Sequence, residues 1–260
     1  MNICVLVKYV PDTEAIVRIR SDSELEIENK YFTNFFDEIA IEEAVKLKEK
    51  FGGTVTVVTV DNRRIDALRR GIAMGADHAV QISDAALEGS DSFGIARVLA
   101  AFLKKEPWDV ILCGRQAMDD DAAIVGPAVA ELLDLPHVSS ILGLEIAEDG
   151  RSARVARQVE GGREILLCRL PAVLTTQKGL NTPRIPQVMG MMKAMKVQVR
   201  KLDLGALGVD PAEVGERGRK VRILRYLPPP KRSKAMRIEE DFPDNVRRLV
   251  RLLREEAKAL

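Results

Sequence analysis

The chain is poor in the residues on which most enzyme chemistry rests. Histidine occurs only twice in 260 residues, as His78 and His137. Neither has a serine, cysteine or carboxylate neighbour at a spacing that suggests a proton relay, which argues against histidine catalysis. Cysteine occurs three times. Cys4, Cys113 and Cys168 are scattered, form no CxxC pair, and in two cases lie inside strand-like runs. They predict buried free thiols in a reducing compartment rather than disulfides or a metal site. An excess of one charge is also missing: the formal net charge is +1, so no global field favours nucleic acid or an anionic membrane. No P-loop lysine motif is present, and a nucleotide hydrolase fits poorly. The apolar run between Met1 and Lys8 is too short for a signal peptide or a membrane span and reads as a first strand, with the cytoplasm as the expected compartment and no transmembrane segment.

A hydrophobic content of 46% does allow a large core, or a domain with an appendage. Apolar strands and amphipathic helices alternate from residue 3 to about 135. Strands are expected at 3–7, 54–60, 79–82 and 108–113, and helices at 38–50, 63–74 and 91–105; residues 8–34 read as a long loop or hairpin. Strands separated by helices in this way require right-handed crossovers and a parallel sheet, so the fold class is α/β, a mostly parallel sheet with flanking helices.

Ligands of such sheets settle beyond the carboxyl ends of the strands, where loops feed helix N-termini. The segment 110–133 is a strand, a loop opened by Gly114 and a helix expected to begin under Asp119, Asp120 and Asp121, with Gly126 on its far side. Three carboxylates suit a helix N-terminus by capping and dipole, yet would repel a bare phosphate placed among them.

After Pro136 the pattern changes. Strands at 141–146, 154–159 and 165–170, with turn signals at Gly150 and at Gly161–Gly162, predict an antiparallel extension of the sheet. One more apolar strand, 172–175, leads to a loop, 177–184, and a helix, 187–196, whose methionines Met189, Met191, Met192 and Met195 read first as plastic core packing and second as a partner surface. Three divisions are expected: a domain over 1–196, a basic Gly- and Pro-rich arm over 197–237, and an amphipathic helix over 238–260 that suits docking more than membrane-surface binding.

Three signatures in this order resemble the beta subunit of electron transfer flavoproteins: Val7-Lys-Tyr-Val-Pro-Asp-Thr13, Gly114-Arg-Gln-Ala-Met-Asp-Asp-Asp121 with Gly126-Pro127, and Leu170-Pro-Ala-Val-Leu-Thr175 leading to Leu180-Asn-Thr-Pro-Arg184. The resemblance spans residues 1 to about 210, and places residues 239–260 beyond the usual family end. It implies an electron carrier rather than an enzyme, paired with an alpha subunit that holds most of an FAD. Electrons would pass from acyl-CoA dehydrogenases of fatty acid beta-oxidation to a quinone oxidoreductase.

By the same correspondence, Thr13 and Phe36 approach the flavin edge. Leu180 is the apolar anchor for the dehydrogenase, flanked by Lys178 and Arg184. A second nucleotide, AMP in most members and FAD in those that bifurcate electrons, would lie among Leu6, Lys8, Asn34, Asp37, Thr59, Gly114, Asp119, Ala123, Ile124, Val125 and Gly126. Two departures bear on it: Val60-Asp61 stands where Gly-Pro is usual, and Ala123-Ile124-Val125 where a glutamine is common. Whether this site takes AMP, a second FAD or nothing stays open on these residues. So do two other functions, a bifurcating subunit and a stand-alone adenine-nucleotide-binding module of the universal-stress type.

Overall fold

A computed structural model describes residues 1–230 and 235–260; residues 231–234 of the expected arm lie outside the described residues. The buried apolar strand β1 (Asn2–Leu6) opens the chain, and β2 (Tyr9–Pro11) follows. The exposed hairpin of β3 (Val17–Ser21) and β4 (Glu24–Ile27) comes next, and β5 (Tyr31–Thr33) returns to pair with β2. This replaces the single loop or hairpin expected over 8–34 by two small antiparallel sheets. Helix α1 (Phe35–Phe51), strand β6 (Thr54–Val60), helix α2 (Asp66–Met74), strand β7 (His78–Ile82), helix α3 (Ser92–Leu103), strand β8 (Val110–Gly114) and helix α4 (Val125–Leu133) continue the alternation. Strands β9 (His137–Ile146), β10 (Ser152–Val159), β11 (Gly162–Arg169) and β12 (Ala172–Thr176) are followed by helix α5 (Val188–Lys196). Strand β13 (Arg200–Leu202) and the short helices α6 (Leu204–Leu207) and α7 (Gly215–Gly218) precede the last helix, α8 (Asp244–Glu255).

Among the described residues, nine strands form one sheet in the order β11-β10-β9-β12-β8-β1-β6-β7-β13. The strands from β9 to β13 in that order pair in parallel, and β10 and β11 add an antiparallel flap. Alternate side chains feed two cores. Ile3 and Val5 pack with Ile41 and Leu68 under α1 and α2, while Cys4 and Leu6 pack with Leu99 and Val129 under α3 and α4. From β1 the chain moves outward through β6 and β7, then returns to lay β8 on the other side of β1. That reversal is a topological switch point, where open α/β sheets leave a crevice.

Three expectations change. The arm does not begin at 197: β13 extends the sheet edge beside β7, and Leu204, Leu207, Val209 and Val214 are buried in the α3 core. Three residues of strand and single helical turns carry too little periodicity to announce themselves. Helix α4 begins at Val125, not under the aspartates, because Asp121 and Ala123 both adopt left-handed backbone (φ 49° and 54°), which a right-handed helix cannot include. The methionines of α5 face outward, while Ala194 is buried and Gly190 lies against the Ala73 carbonyl of α2.

Candidate functional site

At the switch point lies a cavity of about 290 Å³, at the lower end of the range for small-molecule sites. Its apolar wall is Leu6, Val58, Val60, Ile95 and Leu99, from β1, β6 and α3. Its opposite side is the loop from Gly114 to Gly126. Helix α4 has Ile124 at its N-cap and no side-chain cap, so its first amides lack a side-chain acceptor; free N–H groups there suit an anion.

Asp37 and Asn34 build the mouth. Asp37 lies in the first turn of α1 and is buried. One of its oxygens accepts from the Lys8 N–H (2.8 Å); the other accepts from the Gly114 N–H (2.9 Å) and from Asn34 Nδ2 (2.9 Å). Asn34 also donates to the Gln116 carbonyl at 2.9 Å and accepts from the Met118 N–H at 3.2 Å. Two side chains thus tie the ends of β1 and β8 to one loop. Burial pushes the Asp37 carboxyl up to about 7, against the opposing pull of these hydrogen bonds and of Lys8.

The aspartates have a role other than capping. Lys8 Nζ reaches Asp119 Oδ1 at 2.8 Å and Asp120 Oδ2 at 3.4 Å, so they occupy the lysine instead of facing the helix dipole. Asp119 stands outside the cavity lining, whereas Asp120 belongs to it. Thr59 stands outside it as well. Strand parity directs Val58 and Val60 to the α3 side, which leaves Thr59 on the other face. Leu6, Lys8, Asn34, Asp37, Gly114, Ala123, Ile124, Val125 and Gly126 all line the cavity.

The turn Ser90-Asp91-Ser92 lines it too and was missed, although the rule that pointed to 114–126 applies equally to the N-terminus of α3. Asp91 caps that helix through the Gly94 N–H (2.9 Å) and accepts from the Lys220 and Val221 N–H groups at 2.6 and 3.0 Å. Burial raises its pKa, but these backbone donors outweigh burial and hold the carboxyl below its usual range.

Away from the cavity, Phe36 is half-buried in the first turn of α1, edge-on to Phe35 and with the Arg115 guanidinium 5.4 Å from its ring centre; Thr13 is exposed. The loop 177–184 is pinned to α1. Asn181 donates to the Ile39 carbonyl (3.1 Å) and to Glu43 (2.9 Å), and Arg184 holds Glu42 at 2.8 Å and Glu49 at 2.6 Å. Arg184 is therefore a structural cation here, not a free steering charge; the hydrogen bonds that it donates to Glu49 and Glu42 raise its pKa further. Leu180 is half-buried and packs against the core under α1, so it is no protruding anchor, whereas Lys178 is exposed.

A family model described as the electron transfer flavoprotein domain matches residues 26–207. Electron transfer flavoprotein subunit beta of Bacillus subtilis is 38% identical over 262 residues, covering 100% of each chain. The protein of the same name from Mus musculus is 35% identical, with 90% of this chain and 91% of the relative covered. Protein FixA of Azotobacter vinelandii is 33% identical, with 96% and 92% covered. The chain belongs to the electron transfer flavoprotein beta subunit family. It is an electron carrier subunit, as its relatives are named, rather than a catalyst.

The full-length match also corrects the expected family end, since the Bacillus relative spans α8 as well. None of the described helices is long and apolar enough to cross a membrane. The cavity fits a nucleotide in kind. A flat base suits the apolar wall, and a phosphate suits the uncapped amides of α4. The nearby carboxylates of Asp120 and Asp91 are already engaged, by Lys8 and by backbone N–H groups.

Proposed function

We propose that this chain is the beta subunit of a heterodimer whose alpha-type partner holds most of an FAD. In this reading it carries electrons in the cytoplasm from acyl-CoA dehydrogenase-type flavoenzymes of fatty acid beta-oxidation to a quinone oxidoreductase. The observation that carries it is the end-to-end match to relatives named as beta subunits. Bound FAD supplies the redox chemistry. The chain's own contribution is cover: Phe36, braced by Phe35 and Arg115, presents an aromatic edge that excludes water, with Thr13 beside the same flavin rim. The exposed Lys178 and the half-buried Leu180 belong to the surface that meets the dehydrogenase.

AMP is the proposed occupant of the cavity. A volume of about 290 Å³ suits a mononucleotide better than a second FAD and favours simple carrying over bifurcation. Leu6, Val58 and Val60 would hold the base, and the amides at Val125 and Gly126 the phosphate, through main chain where glutamine is commoner in the family.

Co-purification with an alpha-type chain tests both parts. The expected complex is yellow, with one FAD and one AMP per heterodimer. A colourless chain that associates with nothing refutes the carrier reading, and two FAD per heterodimer refute the assignment of AMP. A chain that binds AMP tightly alone yet never pairs would indicate the stress-type module.

A further inference from the structure

The sulfur of this chain is distributed unevenly. All three cysteines are buried, and burial raises the pKa of each thiol, which suppresses the reactive thiolate. Four of the eight methionines lie on α5. Their exposures are 77% at Met189, 47% at Met191, 50% at Met192 and 80% at Met195. The helix docks through the opposite side: Gly190 and Ala194, one turn apart, face α2, and Lys193 Nζ donates to the Ala76 carbonyl at 3.2 Å. A helical period of 3.6 residues separates the two sets by about half a turn. The side that binds the fold therefore holds no thioether, while Met189 and Met195 stand well exposed and Met191 and Met192 about half so.

We propose that α5 is a reversible oxidation site, at which hydrogen peroxide converts the outward methionines to sulfoxides ahead of every cysteine and without loosening the fold. Each step is balanced: the thioether sulfur gains one oxygen and is oxidised by two electrons, peroxide is reduced, and water leaves. Methionine sulfoxide reductase reverses it with a thiol reductant. The physical consequence is a change of surface, because an apolar face becomes polar while the contacts of Gly190 and Ala194 stay intact. Only the source of oxidant rests on the carrier role proposed above, since a reduced flavin that loses electrons to dioxygen yields peroxide; the site itself stands on exposure and packing.

Titration of the full-length protein with added peroxide, followed by peptide mass spectrometry, tests the site independently of any flavin. The α5 methionines should gain one oxygen about tenfold faster than buried Met74, as exposure governs susceptibility, and no slower than Met236, an exposed methionine outside the helix. The cysteines should remain fully reactive to a thiol probe after unfolding, and the thermal midpoint should not move. Binding of an apolar dye such as anilinonaphthalene sulfonate should fall as sulfoxide forms and return after treatment with the reductase. A variant with leucine at all four positions should fold and keep its dye binding under peroxide. Oxidation of Met74 or Cys113 at the same rate, a lowered midpoint on α5 oxidation, or dye binding indifferent to sulfoxide would each overturn the proposal.

Discussion

The Asp37 carboxylate and the Gly114 N–H meet at 2.9 Å, joining the first turn of α1 to the end of β8 at the mouth of the cavity. Because burial holds this carboxyl near 7, far above the ordinary value of about 3.9, the native state keeps a proton that the unfolded chain sheds. Stability should therefore fall as pH rises from about 4 to about 7 and level off above, by at most about 1.4 kcal/mol per pH unit from this group. Asp37→Asn should remove that slope, while costing about 1–3 kcal/mol at acid pH because the amide's NH₂ cannot accept from the second N–H donor. Urea unfolding of both proteins between pH 5 and 8 decides it, and parallel slopes would exclude Asp37 as the titrating group.

Gly126 lets α4 sit close to the sheet. A Cβ there would lie 2.5 Å from Thr175 Cγ2 and 3.1 Å from Cys113 Sγ. Gly126→Ala should cost roughly 1–3 kcal/mol by overpacking and weaken nucleotide binding by displacing the amides of α4. Thr175→Ser removes the obstructing methyl but keeps the hydroxyl that accepts from the Ser140 N–H, so the double variant should recover part of both losses. Denaturant midpoints and calorimetric titration with AMP measure the two effects separately.

The apolar runs at 3–7, 54–60 and 108–113 made the parallel sheet legible, because strands buried on both faces carry no polar interruptions. The rule that ligands sit beyond the carboxyl ends of strands pointed to the loop after β8, and that loop lines the cavity. Other features depend on facts that sequence pattern does not carry. The start of α4 turns on left-handed backbone at Asp121 and Ala123, neither a glycine. Thr59 lies between Val58 and Val60 in sequence, yet strand parity turns it away from the cavity that those two line. The methionine spacing showed correctly that one side of α5 is apolar, but the opposite side, with Gly190 and Ala194, makes the closer contact. The electron-carrying role was legible only through resemblance, since the two histidines and three scattered cysteines offer no catalytic spacing for pattern to read.

Arg184 is expected to matter for stability more than for steering. Its guanidinium neutralises Glu42, a buried glutamate of α1, and also reaches the more exposed Glu49. Arg184→Ala would strand the Glu42 charge, at a cost of roughly 2–4 kcal/mol, near the lower end for a broken buried pair because the arginine is itself partly solvated. The double variant Glu42→Gln/Arg184→Ala should recover much of that loss. Equal losses in the single and double variants, measured by urea unfolding, would mean that Arg184 acts through packing rather than charge.

Truncation should locate the true edge of the folded unit. A boundary at 196 discards β13 together with Leu204, Leu207, Val209 and Val214, which are buried beside α3, and also the Gly215 N–H that donates to Ser90 Oγ at 2.8 Å. Four buried aliphatic side chains at roughly 1.5–3 kcal/mol each amount to most of the net stability of an ordinary domain, about 5–15 kcal/mol. A chain ending at Leu224 keeps all of these, together with the Lys220 and Val221 N–H groups on Asp91. It should unfold cooperatively near the full-length midpoint, whereas a chain ending at Lys196 should be unfolded or aggregate. Equal urea midpoints for the two would show that residues 197–218 decorate the sheet without supporting it, and would return the boundary to 196.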